Sequence, residues 1–392
     1  MTKQVCNLAQ VIAQLERWYP RHTAESWDSV GLIAGDPAAP VRRVLFALDP
    51  VRDTVEQAVS TDADLLVTHH PLFLKPVHQV AATNYKGALV HRLISSGVAL
   101  YNAHTNADVA ANGVAEALAE LVGLEHLEPL VPAQSTALDK FVVFVPPAQS
   151  RAVQQAMSDA GAGNIGEYSG CSWQSTGTGQ FTPSDEAEPA IGNANERTEV
   201  TETRLEMVAP RSARNAVARA MRTAHPYEEP AFDVFEQATL PASTGLGRIG
   251  TLPQPLTLRE FAAQVAAVLP ATAQGIRFAG DPDGLVQQVA VLGGSGDSLF
   301  DAVRAAGVDA YVTSDLRHHP ASEAREAALF AAGEQATPYL VDTAHFASEW
   351  PWLTKAAAAL EQWAAEEGID LEVQVSQISS DPWTGHVPSP KQ

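Results

Sequence analysis

Short apolar runs alternate with stretches of helical period over the first 125 residues. "VRRVLFALD" (41–49), "DLLVTHH" (64–70) and "VALYNAH" (98–104) read as strands. "RDTVEQAVS" (52–60) and "KGALVHRLISSG" (86–97) lie between them with apolar positions three and four apart, and read as helices. "GVAEALAELVGL" (113–124) closes this stretch as a further helix. Strands that alternate with helices predict a mostly parallel sheet with helices on its faces.

From about residue 130 to 240 the pattern changes. "KFVVFVP" (140–146) predicts a strand and "SRAVQQAMSDAG" (150–161) a helix stopped by glycine. "SGCSWQSTGTGQFTP" (169–183) reads as strand and turn, and the polar "DEAEPAIGNANERTEVTE" (185–202) as loop. "TRLEMVAP" (203–210), "RSARNAVARAMRTAHP" (211–226) and "AFDVFEQ" (231–237) then give strand, helix and strand. Strand, helix, strand, strand, helix, strand is the order of a ferredoxin-like module. From 247 the first texture resumes: "VQQVAVLGG", "SLFDAVRAAG", "VDAYVTSD", a helix over 321–333, "TPYLVDTAH" and a last helix over 352–367.

The two outer segments resemble each other. "ADLLVTHH" (63–70) aligns with "VDAYVTSD" (308–315), pairing Asp64 with Asp309, Val67 with Val312 and Thr68 with Thr313. "YNAHTNAD" (101–108) aligns with "VDTAHFASE" (341–349), so His104-x-x-x-Asp108 meets His345-x-x-x-Glu349. Two matches in the same order, at offsets of 245 and 241 residues, predict a duplication rather than a coincidence of short strands. The predicted architecture is therefore α/β: two similar halves, 1–128 and 241–392, form one domain, interrupted by an α+β insertion at 129–240.

Composition narrows the function. The 392 residues are 45% hydrophobic, as in a folded globular protein of two or three domains. No apolar run is long enough to cross a bilayer, and the polar, charged N-terminal helix is not a signal peptide. Cys6 and Cys171 make neither a disulfide framework nor a thiolate metal cluster, and a reducing cytoplasm is the simplest compartment. A net charge of −21 argues against direct contact with nucleic acid. It leaves room for an anionic small molecule if a bound cation supplies local positive charge.

Ligands of open α/β sheets bind outside the carboxyl ends of the strands. Three polar clusters fall there: His69–His70, His104 with Asp108, and His345 with Glu349. One histidine at a strand end is more often a hydrogen-bonded structural residue, and His318–His319 reads as a surface pair. Three clusters at equivalent strand ends point to metal. Nitrogen and oxygen donors without sulfur suit Zn, Mn, Fe, Co or Ni. Successive side chains on a strand diverge, so His69 and His70 suit two ions better than one. Such a pair needs a bridging carboxylate, and Asp108 and Glu349 are available.

The motifs "WDSVGL" (27–32), "THHPLF" (68–73), "AHTNAD" (103–108), "GLGRIGTL" (245–252), "TSDLRHH" (313–319) and "AHFASE" (344–349) together resemble the Nif-three-like dinuclear-metal family, the GTP cyclohydrolase 1 type 2 homologs. The resemblance covers almost the whole chain. It implies two α/β halves around a metal pair, a PII/CutA-like ferredoxin-fold insertion, and a toroidal homohexamer with the metals facing an inner cavity. Carried over by position, His69 and Asp108 would hold one metal, His70 and His345 the other, and Glu349 both. His104 would sit beside the site as a proton carrier. "TSDLRHH" departs from the family pattern, with Ser314 in place of a glycine and His318 in place of an aromatic residue. Pro351 implies that the last helix begins beside Glu349.

The implied activity is a divalent-metal-dependent hydrolase working through a hydroxide shared by two ions, with His104 or Glu349 moving the proton. The substrate would be a small molecule, with GTP cyclohydrolase-type ring opening one candidate and other nucleotides or phosphoesters equally open. The alternative is a non-catalytic metal-binding regulatory or scaffold protein. Elsewhere, "GGSGDS" (293–298) reads as a tight strand-to-helix turn capped by Ser or Asp rather than an anion cradle. Arg248 is placed either on a substrate phosphate or on the linker that re-enters the second half. "TAHPYEEPAFDV" (223–234) reads as a structural turn or subunit contact rather than a second metal or ligand site. Trp27 and Asp28 are expected beside the cleft, and Trp350 and Trp352 in the core.

Overall fold

In the computed structural model, which describes residues 4–332 and 336–388, Asp64 and Asp309 make matching contacts. The Asp64 carboxylate accepts from the backbone N–H of Arg42 and Arg43 at 2.7 and 2.9 Å. The Asp309 carboxylate accepts from those of Gln287 and Gln288 at 2.9 and 2.8 Å. Strand registers repeat as well. Val44 faces Leu65 and Phe46 faces Val67 in one parallel pair, and Val289 faces Ala310 and Val291 faces Val312 in the other. The duplication read from two short motifs is thus a duplication of sheet geometry.

The first sheet has the order Glu372–Val375, Arg43–Ala47, Leu65–Thr68, Ala99–Asn102, Gly31–Ala34, and only the last strand is antiparallel to its neighbour. The second has the order Arg277–Ala279, Tyr339–Thr343, Ala310–Ser314, Leu285–Ser295, Pro241–Thr257, Glu125–Gln134. Its three central strands are parallel, and Arg277–Ala279 flanks them antiparallel as Gly31–Ala34 flanks theirs. Leu65–Thr68, Ala310–Ser314 and Tyr339–Thr343 are buried along their whole length. Parallel strands covered on both faces by helices read as unbroken apolar runs for this reason. Capping boxes at Asn7 with Gln10 and Thr257 with Glu260 start the helices Leu8–Trp18 and Leu258–Val268. Trp352 is fully buried in the core of the first half, with Tyr19, Phe46 and His69 around its ring at 5.5, 6.4 and 5.5 Å. A histidine thus lies directly on the apolar core.

The chain divides into two units: residues up to Ala133 with those from Ser243 onward, and Gln134–Ala242. The expected boundary at 128/129 falls a few residues early because Glu125–Gln134 is a strand of the larger unit. That strand, and Pro241–Thr257 beside it, carry the Pro and Gly interruptions tolerated toward a sheet edge, which hid both in the hydropathy pattern. The smaller unit runs Leu138–Val145, helix Ser150–Asp159, Trp173–Phe181, Thr198–Pro210, helix Arg214–Ala224, Phe232–Glu236. Its antiparallel sheet has the order fourth, first, third, second strand, the ferredoxin-like arrangement. The loop expected over 185–202 ends earlier, because Thr198–Glu202 pair with Gly177–Phe181 although none of Thr198–Glu202 is buried. The helix expected over 321–333 spans His318–Ala332, and Gly333 lies outside the described residues.

Candidate metal centre

The strand Leu65–Thr68 delivers His69 and His70 at its carboxyl end, and Ala99–Asn102 delivers His104. Tyr339–Thr343 delivers the short helix His345–Glu349, and Pro351 opens the long helix Pro351–Glu366 at its first turn. Glu349 therefore ends one short helix two residues before the next begins, close to the position expected from Pro351.

Each histidine is held through Nδ1. His69 Nδ1 lies 2.9 Å from the Ala103 carbonyl, His70 Nδ1 2.7 Å from Asp49, His104 Nδ1 3.0 Å from Asp28 and His345 Nδ1 2.6 Å from Asp315. A carbonyl or carboxylate only accepts, so each Nδ1 carries a proton, and Nε2 is the atom free to bind a metal when the ring is neutral. Partners of this kind fix the tautomer and orientation of metal-ligating imidazoles.

The Nε2 atoms converge on Glu349. Its Oε1 lies 3.1 Å from His345 Nε2 and 3.6 Å from His69 Nε2, and its Oε2 lies 3.0 Å from His70 Nε2. His69 and His70 thus address different oxygens of one carboxylate. Asp108 Oδ1 is 3.8 Å from His69 Nε2. His69 Nε2 is buried and makes no hydrogen bond among the described residues, and Glu349 Oε2 meets His70 Nε2. A buried polar atom left without a partner is costly. A cation beside His69 Nε2 would satisfy it, so the donor set fits divalent metal. Among the described residues, two trios bring their donor atoms together: His69, His70 and His104, and His70, His345 and Glu349. His104 stands closer than its expected place beside the site, and Asp108 joins neither trio.

The field of the site agrees. Burial would push His70 and His345 down, but the charges and hydrogen bonds of Glu349 with Asp49 and Asp315 outweigh it. His70 is held well above the usual imidazole range and His345 is pushed up to about 10. Burial would raise Glu349, but His70, His69 and His345 hold it well below the usual carboxylate range. Burial and the Glu349 charge push Asp108 up to about 7. Asp49, Asp28 and Asp315 are all lowered by their histidines against the opposing effect of burial. Without a metal, protons on the imidazoles supply the positive charge that the carboxylates demand.

Several other expectations resolve here. Asp28 lies beside the cleft, where Oδ2 also accepts from Thr105 N and Oγ1 at 3.1 and 2.6 Å. Trp27 stands 6.0 Å from the His104 ring. "GGSGDS" is a strand-to-helix turn, but no side-chain cap forms on the short helices that follow. Its glycines have another use. The Glu349 carboxylate occupies the space a Gly294 side chain would need, and Gly294 (φ +72°) donates its N–H to Ser348 Oγ at 2.9 Å. Arg248 is buried and donates to the carbonyls of Gly245, Gly247 and Ala110, so it pins the re-entering linker. His318 and His319 are exposed and outside both trios.

Residues that the sequence reading did not single out complete the site. Asp49 tethers His70 and itself accepts from Ser380 of the C-terminal segment. That segment, with Trp383, walls a cavity of about 340 Å³ that opens onto His70 and His345. Asp315 was visible only as the repeat partner of His70. Asp315→Asn is expected to weaken metal binding about 10- to 100-fold, because the amide can present a donor to Nδ1 and disturb the tautomer. Competition with a metal-chelating dye measures this, and an unchanged affinity would remove Asp315 from the support of His345.

Comparison with known proteins gives a consistent relationship. A model of Duf34/NIF3 (NGG1p interacting factor 3) matches residues 6–382. The "GTP cyclohydrolase 1 type 2 homolog" of Mycobacterium tuberculosis is 52% identical over 377 residues, 96% of each chain. The protein of that description from Bacillus subtilis is 36% identical over 386 residues, 98% of this chain and 100% of its own. Among solved structures, a Bacillus cereus protein related to NIF3 superposes with a TM-score of 0.73 at 35% identity, covering 97% of this chain and 99% of the other.

Proposed function

Because the chain belongs to the Duf34/NIF3 family, we propose that it is a dinuclear divalent-metal-dependent hydrolase acting on a nucleotide or another phosphoester. His69, His70, Asp108, His345 and Glu349 would hold the two ions, with Glu349 shared between them. The observation that carries this reading is the buried convergence of Nδ1-tethered imidazoles on one carboxylate, with His69 Nε2 left without a hydrogen bond among the described residues. When bound, a pair of divalent ions supplies Lewis acidity and makes water nucleophilic at neutral pH.

The protein's own groups do the rest. Asp49, Asp28, Asp315 and the Ala103 carbonyl orient the imidazoles, so little reorganisation is needed when substrate arrives. His104, tethered to Asp28, lies where a proton can be taken up or returned. The Trp383 indole, largely exposed in the wall of the cavity beside His70 and His345, offers a flat ring on which a base can stack. The names of the relatives, GTP cyclohydrolase 1 type 2 homologs, make a purine nucleotide the first substrate to try. No described helix is long and apolar enough to cross a membrane. The reducing cytoplasm and a homohexameric ring are the setting we propose for this activity.

The test is a screen of nucleotides and phosphoesters against metal-reconstituted, chelator-treated and Glu349→Gln protein. Turnover that requires both metal and Glu349 supports the hydrolase. Stoichiometric metal without turnover favours a regulatory or scaffold role. A pH dependence follows from the same groups. Metal binds deprotonated donors, so protons on His345 and Asp108, with pKa values of about 10 and 7 in the metal-free protein, must leave. Affinity is expected to rise with pH from 6 to 9, with proton release on metal addition to weakly buffered protein. A pH-independent affinity would contradict this assignment.

A further inference from the structure

The inserted unit has a cavity of its own. Its helices cover one face of the four-stranded sheet, where Val153, Met157, Val217 and Met221 pack on Phe141, Leu205 and Met207. Cross-strand partners share a face, so Phe144, Arg204 and Ser175 line up on the opposite side, with Glu202 beside Gly177 in the next row. Residues 182–191 arch over part of that helix-free face. The arch is latched where the Glu188 N–H donates to Glu228 Oε2 at 3.1 Å, and at its far end the Asn195 N–H donates to the Pro183 carbonyl at 2.8 Å. Between roof and sheet lies a cavity of about 670 Å³, within the ~300–1,000 Å³ of small-molecule sites.

The floor is open at one glycine. A Cβ at Gly177 would meet nothing within 4 Å, whereas one at Gly179 would meet the Glu202 carboxylate. The walls are aromatic: the Phe181 and Tyr227 rings stand 6.1 Å apart, and Phe144 lies on the floor. The charged groups are Glu202, Glu228 and Glu229 against Arg204, whose guanidinium is already paired with Glu206 at 2.9 Å. The Tyr227 hydroxyl is buried and makes no hydrogen bond of good geometry among the described residues. Burial and the nearby Glu202 charge push its pKa up to about 12, so it remains a neutral donor or acceptor.

We propose that this cavity binds a small aromatic amine: a flat ring laid against Phe144, Phe181 and Tyr227, and an ammonium beside Glu202 and its neighbouring glutamates. Aromatic walls with excess carboxylate favour a cation on both counts. A phosphate or carboxylate ligand would face three glutamates and one guanidinium that is already paired. The site is built wholly from residues of the inserted unit and needs nothing from the metal centre. It gives that unit a binding function of its own.

Tryptamine is the probe, with indole-3-acetate as a ligand of the same ring and opposite charge. Both are titrated into the full-length protein by calorimetry. Tryptamine is expected to bind saturably, one per chain, with a Kd below about 1 mM. Indole-3-acetate is expected to bind at least about tenfold more weakly. Gly177→Phe fills the void from the open floor and is expected to cost tryptamine at least about tenfold in affinity without moving the unfolding midpoint. Glu202→Gln is expected to narrow the gap between the two ligands, and it carries the test if Gly177→Phe does not fold. Absence of saturable tryptamine binding overturns the proposal. So does undiminished binding by folded Gly177→Phe, or indole-3-acetate binding as tightly as tryptamine.

Discussion

Glu349→Gln is expected to lower bound metal from two ions per chain to one or none and to reduce turnover about a thousandfold. The substitution keeps shape and removes only charge. Glu349 is buried, faces three imidazole Nε2 atoms, and rests against backbone where a Gly294 side chain would otherwise sit. Glutamine fits the same seat but cannot neutralise two cations. Loss of metal-derived stabilisation worth several kcal/mol corresponds to a factor of about 10³ in rate. The metal-free proteins give a second readout. His345 has a raised folded-state pKa, so its protonation stabilises the fold fully below its ordinary value near ~6.5. That stabilisation fades as pH rises through about 10. Without Glu349 the leading cause of the raised pKa is gone, so the loss of stability with rising pH is expected to be shallower in the variant. Elemental analysis and denaturation against pH measure the two effects. Full metal content in Glu349→Gln would sink the shared-carboxylate arrangement.

Arg248→Met is expected to destabilise the larger unit by about 3–5 kcal/mol while leaving substrate KM unchanged in whatever protein remains folded. The guanidinium is 2% exposed and donates to Gly245 O at 2.7 Å, Gly247 O at 2.9 Å and Ala110 O at 2.9 Å, with Glu116 at 3.4 Å. Methionine fills part of the volume and leaves three buried carbonyls without this donor. Burial holds the Arg248 pKa below its ordinary value, partly offset by Glu116, but the guanidinium stays protonated at neutral pH. Denaturant unfolding followed by tryptophan fluorescence reads the loss. A stable Arg248→Met protein with a raised KM would instead return Arg248 to the substrate phosphate.

Much of this was legible because the chemistry sits where the hydropathy pattern breaks. Leu65–Thr68 and Tyr339–Thr343 are unbroken buried strands, and polar residues at their carboxyl ends stand out against them. The repeat was readable because Asp64 and Asp309 each cap a neighbouring strand's backbone, a constraint that fixes one residue type at one position. The residues that orient the histidines were harder to find. Asp49 follows a strand and precedes a proline, as many turn residues do, and its role appears only when His70 arrives from another strand. Ser380 and Trp383 lie in a segment without period or capping signal, placed beside the site by tertiary structure alone. The strand Thr198–Pro210 begins in residues that read as loop because none of Thr198–Glu202 is buried. Arg248 was left between two roles because sequence shows a buried guanidinium and an anion-binding one in the same letters.

Anomalous diffraction from crystals of the Mn²⁺-reconstituted protein tests the central claim most directly. The account predicts two peaks ~3.5–4 Å apart, one among His69, Asp108 and Glu349 and the other among His70, His345 and Glu349. A single peak, or two peaks that do not share Glu349, would contradict it.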